Sequence, residues 1–398
     1  MPSPTKERGH IDWRRAGSSH ALAFVAARNK RGRRRVAVVT QHAPHGRDTM
    51  TLAQLFGHSH VRNKVVVVTG ASAGVGRATA EAFAREGAFL GLIARDKDAL
   101  DETKAELVAL GAPVAVYACD VADADAVFAA AAHFESAYGG IDVWVNAAMV
   151  TVFGAIKDTT AEEFRRVTEV TYLGFVHGTL AALKHMRPRN AGSIVQVGSA
   201  LAYRGIPLQA AYCGAKFAIR GFTESLRTEL EYEGSRIRVS MVQLPGINTP
   251  QFDWARAHLD RHPQPVPPVF QPEVPARAIL RAAREGHAEY WISRTVFELI
   301  VGNMLMPRAI TRYLSRTAVD GQMTQERIAP DRPDNLYAPV HRYHRTHGAF
   351  DATASDRAAV VDADRARLAV VAAGTLATLG LGFLLGRFTT ERTQGRLR

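Results

Sequence analysis

Tyr212 and Lys216 stand four residues apart in Tyr212-Cys213-Gly214-Ala215-Lys216, a spacing that puts both side chains on one face of a helix. A free tyrosine keeps its proton up to about pH 10. A neighbouring ammonium stabilises the phenolate and lowers that value, which makes the phenol a usable acid or base near neutrality. An isolated Y-x-x-x-K reads equally well as a core tyrosine beside a surface lysine. Two further features favour chemistry. Ser199 lies thirteen residues before Tyr212, at the end of an expected strand. Far upstream, Val65–Gly76 reads V-V-V-V-T-G-A-S-A-G-V-G, a buried strand followed by a glycine-rich turn and a helix start. Glycines at 70, 74 and 76 let the backbone approach a pyrophosphate closely, and the helix N-terminus offers N–H groups and a positive dipole end to that anion.

The elements that must position these residues follow from the pattern of apolar runs. Strands are expected at Val65–Val68, Phe89–Ala94, Val114–Ala118, Ile141–Val145, Ser193–Val197, Arg236–Gln243 and Ala288–Ile292. Helices are expected between them, at Arg77–Glu86, Lys97–Leu110, Asp123–Tyr138, Thr160–Met186, Gln209–Glu233 and Ala276–Arg284. Strand–helix alternation predicts an α/β doubly wound parallel sheet of about seven strands, a Rossmann fold. Ligands bind beyond the carboxyl ends of such strands. Thr69, Arg95, Asp120, Asn146, Ser199 and Pro245-Gly246 all lie at those ends, so the motifs converge in space.

The chain has 398 residues, 47% of them apolar, with a formal charge of +12. Two cysteines, Cys119 and Cys213, exclude a disulfide framework and suit a reducing cytoplasm, where both read as small packing residues. Residues 1–50 hold eleven Lys/Arg against three acids. Residues 1–60 are expected to be a basic, disordered tail, with a translation start at Met50 as an alternative. The run Leu368–Gly386 has 19 residues and no charge, enough for a helix of roughly 29 Å, about a bilayer's hydrocarbon thickness. The expected layout is a Rossmann domain over 61–319, a linker over 320–366, a transmembrane anchor over 367–387 and a basic tail over 388–398.

Thr69–Gly76 with its T-G-x-x-x-G-x-G spacing, Asp120, Asn146-Ala147-Ala148, Ser199, Tyr212/Lys216 and Pro245-Gly246 together resemble the short-chain dehydrogenase/reductase family, over roughly residues 62–292. The glycine spacing is similar to its single-domain branch. The resemblance implies that Ser199 orients and polarises a substrate carbonyl, that Tyr212 passes the proton, and that Lys216 bonds the nicotinamide ribose and tunes Tyr212. It implies that Gly70, Ser72, Gly74, Val75 and Gly76 hold the pyrophosphate region and Asp120 the adenine, with Asn146 part of the cofactor site. Pro245, Gly246 and Thr249 would lie against the nicotinamide. Two departures stand out. The family's N-A-G is Asn146-Ala147-Ala148 here. Its usual asparagine, which helps hold a water in a proton relay from the lysine, is Thr171.

An NAD site places an acid at the end of the second strand to bond the ribose 2′-OH. Here Ala94 stands there and Arg95 follows, which suits a 2′-phosphate and predicts NADP(H); Asp96 is expected to cap the next helix instead. The proline-rich segment Gln251–Pro275 matches the position of a substrate-covering loop, in which Phe252, Trp254 and Phe270 could line an apolar pocket. Val296–Met306 is strongly apolar and reads as core, a dimer surface or an interfacial helix. His341, His344 and His347 read as part of a solvated basic segment, with no metal. The expectation is a membrane-tethered NADP(H)-dependent oxidoreductase with a cytoplasmic catalytic domain. It would interconvert a lipophilic carbonyl and an alcohol, as a homo-oligomer and without nucleic acid. The alternative is a non-catalytic NADP-binding sensor or scaffold at a membrane, motivated by Thr171.

Overall fold

The structure, a computed structural model, describes residues 61–329 and 331–372, positions 374, 375 and 378, and the backbone of residues 13–14, 21–28 and 34–41. Residues 1–58 form a compact unit of their own. Within it Ala21–Arg28 and Arg34–Gln41 pair as an antiparallel hairpin, with Trp13–Arg14 beside the first of them. The sequence reading expects a disordered tail over this stretch.

The second unit, from residue 59 onward, carries the sheet. Its strands are β1 (Val65–Thr69), β2 (Phe89–Ala94), β3 (Val114–Ala118), β4 (Val143–Asn146), β5 (Gly192–Val197), β6 (Ile237–Gln243), β7 (Glu289–Ile292) and β8 (Val360–Asp362). They lie in the order β8-β7-β6-β5-β4-β1-β2-β3. The first seven are parallel and β8 adds an antiparallel edge to β7. The chain reverses direction between β1 and β4, which opens a crevice at their carboxyl ends.

Period-two alternation divides the strand side chains between two cores. Val66 and Val68, Leu90 and Leu92, and Val143 and Val145 enter one cluster, with helices α1 (Gly74–Arg85), α2 (Lys97–Ala109) and α7 (Glu273–Glu285). Val67, Ile93 and Trp144 enter the other, with α3 (Ala124–Tyr138), α4 (Ala161–Val167), α5 (Gly174–Met186) and α6 (Ala210–Tyr232). Helix starts are fixed by side-chain caps. Asp96 accepts from the N–H groups of Asp98 and Ala99 at 3.1 Å, the capping role expected of it. Thr160 and Glu163 close a reciprocal capping box. The long helix expected over 160–186 is interrupted by a π-helical segment, Thr168–Leu173, that holds Thr171.

The segment expected as a linker is instead packed against the domain. Residues 331–359 have little regular structure, yet Leu336 is fully buried and Phe350 stacks edge-on against Phe252. The strap is held by its own backbone. Arg95 donates to the carbonyls of Asn335 (2.6 Å) and Tyr337 (3.2 Å), Arg166 to that of Leu336 (3.0 Å) and Arg77 to that of His344 (2.5 Å). Such contacts leave no periodic trace in the sequence.

Residues 363–372 are helical. Most of the expected transmembrane run, and the basic stretch 388–398, lie outside the described residues. Among the described residues no helix is long and apolar enough to cross a membrane.

Candidate active site

β1 delivers Thr69 to the crevice, where its hydroxyl accepts from the N–H groups of Ala147 and Ala148 (3.0 and 3.1 Å) and ties the end of β4 to the glycine turn. The turn itself admits no side chain at two points. Gly70 has φ +69°, and a Cβ there would lie 2.8 Å from the Ala148 Cα. A Cβ on Gly76 would lie 2.1 Å from the Gly70 carbonyl oxygen. The backbone is thus folded tightly enough to bring α1's first N–H groups to the crevice, a cradle that fits the pyrophosphate of a dinucleotide.

A cavity of about 580 Å³ runs along the crevice, within the usual size of small-molecule sites. Gly70, Ser72, Gly74, Val75, Gly76, Arg95 and Asp120 line it, as do Ser199, Tyr212, Lys216, Pro245, Gly246 and Thr249. Asn146 departs from the expectation: it does not line the cavity. Its amide donates to Phe175 O, Thr179 Oγ1 and Gln196 Oε1 and accepts from Trp144 Nε1 (2.8–3.3 Å), so all its bonds are spent inside the protein. Thr171 is likewise fully buried and outside the cavity. Its hydroxyl donates to the Val150 carbonyl (2.8 Å) and accepts from the Val150 N–H (3.0 Å), which pins the chain after β4.

Tyr212 and Lys216 project from the first turns of α6, and Ser199 caps the short turn after β5, its hydroxyl accepting from the Leu201 N–H at 3.1 Å. Lys216 is buried. Its ammonium donates to the Val197 carbonyl (2.7 Å) and lies 4.7 Å from the Phe175 ring centroid and 5.5 Å from that of Tyr212. Burial drives the two groups in opposite senses, because it penalises whichever form is charged. Lys216 is pushed down to about 7. Tyr212 is pushed up, with the Ser199 hydroxyl opposing the rise. The lowered tyrosine expected from the lysine's charge is therefore not the direction found here: desolvation is the largest cause and outweighs the Ser199 hydrogen bond.

The lysine shift has a consequence for folding. The unfolded lysine holds its proton up to about 10.4, whereas the folded one releases it near 7. Between these values the unfolded chain binds more protons, so stability rises with pH. The expected result is a urea midpoint that increases from pH 7 to pH 9 in the wild type, with Lys216→Met losing that part of the increase.

At the Arg95 end of the cavity Asp120 pairs with Arg166 and also accepts from the Ala122 N–H (2.9 Å). Asp96 directs one oxygen at its helix and the other at His341 (2.7 Å) and His344 (3.0 Å). His347 faces Glu273 at 2.8 Å. Of the three aromatic residues expected in the pocket, Phe252 and Trp254 line it, while Phe270 packs into the main core. The sequence reading missed the far wall. Val266 comes from the proline-rich loop, Leu299 from α8 (Arg294–Leu305), and Ile310 and Leu314 from α9 (Pro307–Thr317). The four-residue spacing of Ile310 and Leu314 was the available signal. The strap adds Asn335, Val340 and His344.

A Rossmann sheet, a glycine cradle and a serine, tyrosine and lysine meeting in one crevice place the chain in the short-chain dehydrogenase family, to which it belongs. The family model described as short chain dehydrogenase matches residues 64–259. The oxidoreductase YxnA of Bacillus subtilis is 34% identical over 279 residues, covering 70% of this chain and 78% of that protein. The dehydrogenase/reductase SDR family member 7B of Bos taurus is 36% identical over 187 residues, 46% of this chain and 58% of that protein. Levodione reductase, among solved structures, aligns with a TM-score of 0.46 at 31% identity, over 48% of this chain and 74% of its own. Membership makes the chain an oxidoreductase of the carbonyl/alcohol class that uses a nicotinamide cofactor.

Proposed function

We propose that the chain is an NADP(H)-dependent oxidoreductase acting on a lipophilic carbonyl or alcohol, with Tyr212 as the proton donor and acceptor. The observation that carries this reading is the cavity's composition: Ser199, Tyr212 and Lys216 line the same space as the apolar Val266, Leu299, Ile310 and Leu314. When bound, the nicotinamide supplies or accepts the hydride. The protein's own part is to hold the substrate oxygen between the Ser199 and Tyr212 hydroxyls, to move the Tyr212 proton onto or off that oxygen, and to exclude water with the apolar wall. Lys216 would bond the ribose with the donors that Val197 leaves unused. The apolar run at Leu368–Gly386 would tether the domain to a membrane, with the homo-oligomer expected of the family.

The cofactor preference rests on Arg95 and Asp96. Arg95 lines the cavity and carries a full charge, while both oxygens of Asp96 are occupied by the α2 N–H groups and the two histidines, so no carboxylate is left for a ribose 2′-OH. The test is NADPH and NADH oxidation with a panel of hydrophobic ketones and aldehydes. A charge-assisted contact to the 2′-phosphate is worth roughly 10- to 100-fold. Arg95→Ala is expected to raise the KM for NADPH by that factor and to leave NADH unchanged. An equal effect on both cofactors would refute the assignment.

One observation favours a sensor as the second reading. The Gly74 N–H, a group the pyrophosphate would use, donates to the Arg345 carbonyl at 3.0 Å, and Arg95 is bonded to the same strap. A sensor would bind NADPH and show no Tyr212-dependent turnover in either direction.

A further inference from the structure

We propose that the corner between α8 and α9 docks on the surface of an anionic lipid bilayer. At this corner the chain reads Met304-Leu305-Met306-Pro307-Arg308, and Met304, Leu305 and Met306 are 70%, 69% and 59% exposed. Tyr313, two turns along, is 62% exposed and also lines the cavity. Single exposed apolar side chains are ordinary, but three in succession make a patch. α9 adds Arg308, Arg312 and Arg316 at four-residue spacing, hence on one stripe, and all three are exposed. Pro307–Thr317 contains no acid. None of the three arginines forms an ion pair with a carboxylate among the described residues.

An apolar tip beside an unneutralised cationic stripe is the composition of an interfacial helix on anionic lipid. The charge also selects among occupants. A second copy seated on the same patch would set one arginine stripe against another across the symmetry axis, which repels. The opposite side of α9 supports the choice: Ile310 and Leu314 face the cavity, so the docking helix is also a wall of the substrate site. The helix that leads into the apolar C-terminal run packs on the earlier turns of α8. Ala363 and Ala366 share one core cluster with Val296 and Ile300 of α8, and Leu368 and Val371 beyond them are 70% and 64% exposed. Docking itself does not depend on the proposed reaction. Its consequence, that a lipophilic substrate enters from the bilayer past α9, does.

The test uses the full chain with Leu305→Cys carrying an environment-sensitive fluorophore, and the wild type labelled in parallel to subtract Cys119 and Cys213. Vesicles of phosphatidylglycerol in phosphatidylcholine are compared with phosphatidylcholine alone. The expected result is a blue shift at position 305, quenched by a lipid-borne quencher, with anionic vesicles only. The triple variant Arg308→Gln/Arg312→Gln/Arg316→Gln is expected to need roughly 100-fold more lipid for the same shift, at about fivefold per charge lost. Three results would overturn the proposal. In the first, the chain pellets with vesicles while the probe stays aqueous, which assigns binding to another segment. In the second, a lipid-free shift grows with protein concentration and dimer mass, which assigns the patch to a second copy. In the third, the probe is already apolar in the lipid-free monomer, which assigns it to the chain's own C-terminal run. Failure of turnover leaves each of these readings intact, so docking and the reaction are tested separately.

Discussion

Tyr212→Phe is expected to lower kcat by 10³-fold or more while NADPH still binds with nearly unchanged affinity. The substitution removes one oxygen and keeps the ring, so the packing beside Lys216 persists. On the proposed reading what disappears is the proton delivered to the substrate oxygen, and general acid–base catalysis of this kind contributes about 10²- to 10⁴-fold. The electronic environment sharpens the expectation. Burial raises the Tyr212 pKa, so near pH 7 the phenol carries its proton, the form that a donor in carbonyl reduction needs. The measurement is single-turnover NADPH oxidation with a ketone that the wild type reduces, alongside fluorescence titration of NADPH. Retained turnover in the variant would remove Tyr212 from the proton path, and with it the reading of the Tyr/Lys face as catalytic.

The same residues show what a sequence discloses. Tyr212, Lys216, Ser199 and the Thr69–Gly76 turn were legible because each sits at a fixed place relative to a periodic element: i and i+4 on a helix, or the last residue of an apolar strand. The parallel sheet was legible for a related reason, since continuous valine and leucine runs are what a doubly covered sheet requires. Asn146 shows the limit of that logic. Its position at the end of β4 was right, but whether a side chain points into the crevice or back into the core depends on partners far along the chain. Phe175, Thr179 and Gln196 are 29, 33 and 50 residues away. The tuning of Tyr212 failed for a second reason. A neighbouring charge is visible in a spacing, but desolvation is a property of the folded surroundings, and here it is the largest cause of the shift. The strap was invisible for a third. It binds through backbone carbonyls, which every residue has, to Arg77, Arg95 and Arg166, so no pattern of residue types marks it.

The glycine turn gives the second large effect, and its sign depends on space rather than on residue type. Gly76→Val is expected to weaken NADPH binding by at least 100-fold and to lower Tm by several degrees. The added Cβ would meet the Gly70 carbonyl oxygen at 2.1 Å and its carbon at 2.7 Å, both backbone atoms that no rotamer change can move. The turn must open, which carries α1's first N–H groups away from the crevice. A displacement of about 1 Å at a binding element is enough for a loss of roughly 100-fold. Overpacking of this kind costs about 1–3 kcal/mol of stability. Gly221→Ala is the control with the opposite outcome. It lies within α6, is exposed, and an added Cβ meets nothing within 4 Å. Replacing a mid-helix glycine there removes unfolded-state freedom and should stabilise the protein by about 0.5–1 kcal/mol with no change in cofactor affinity. Calorimetry and NADPH titration on the two variants separate the explanations. If Gly76→Val binds NADPH normally, the pyrophosphate does not use the turn at 70–76, and the assignment of that turn as the cofactor cradle fails with it.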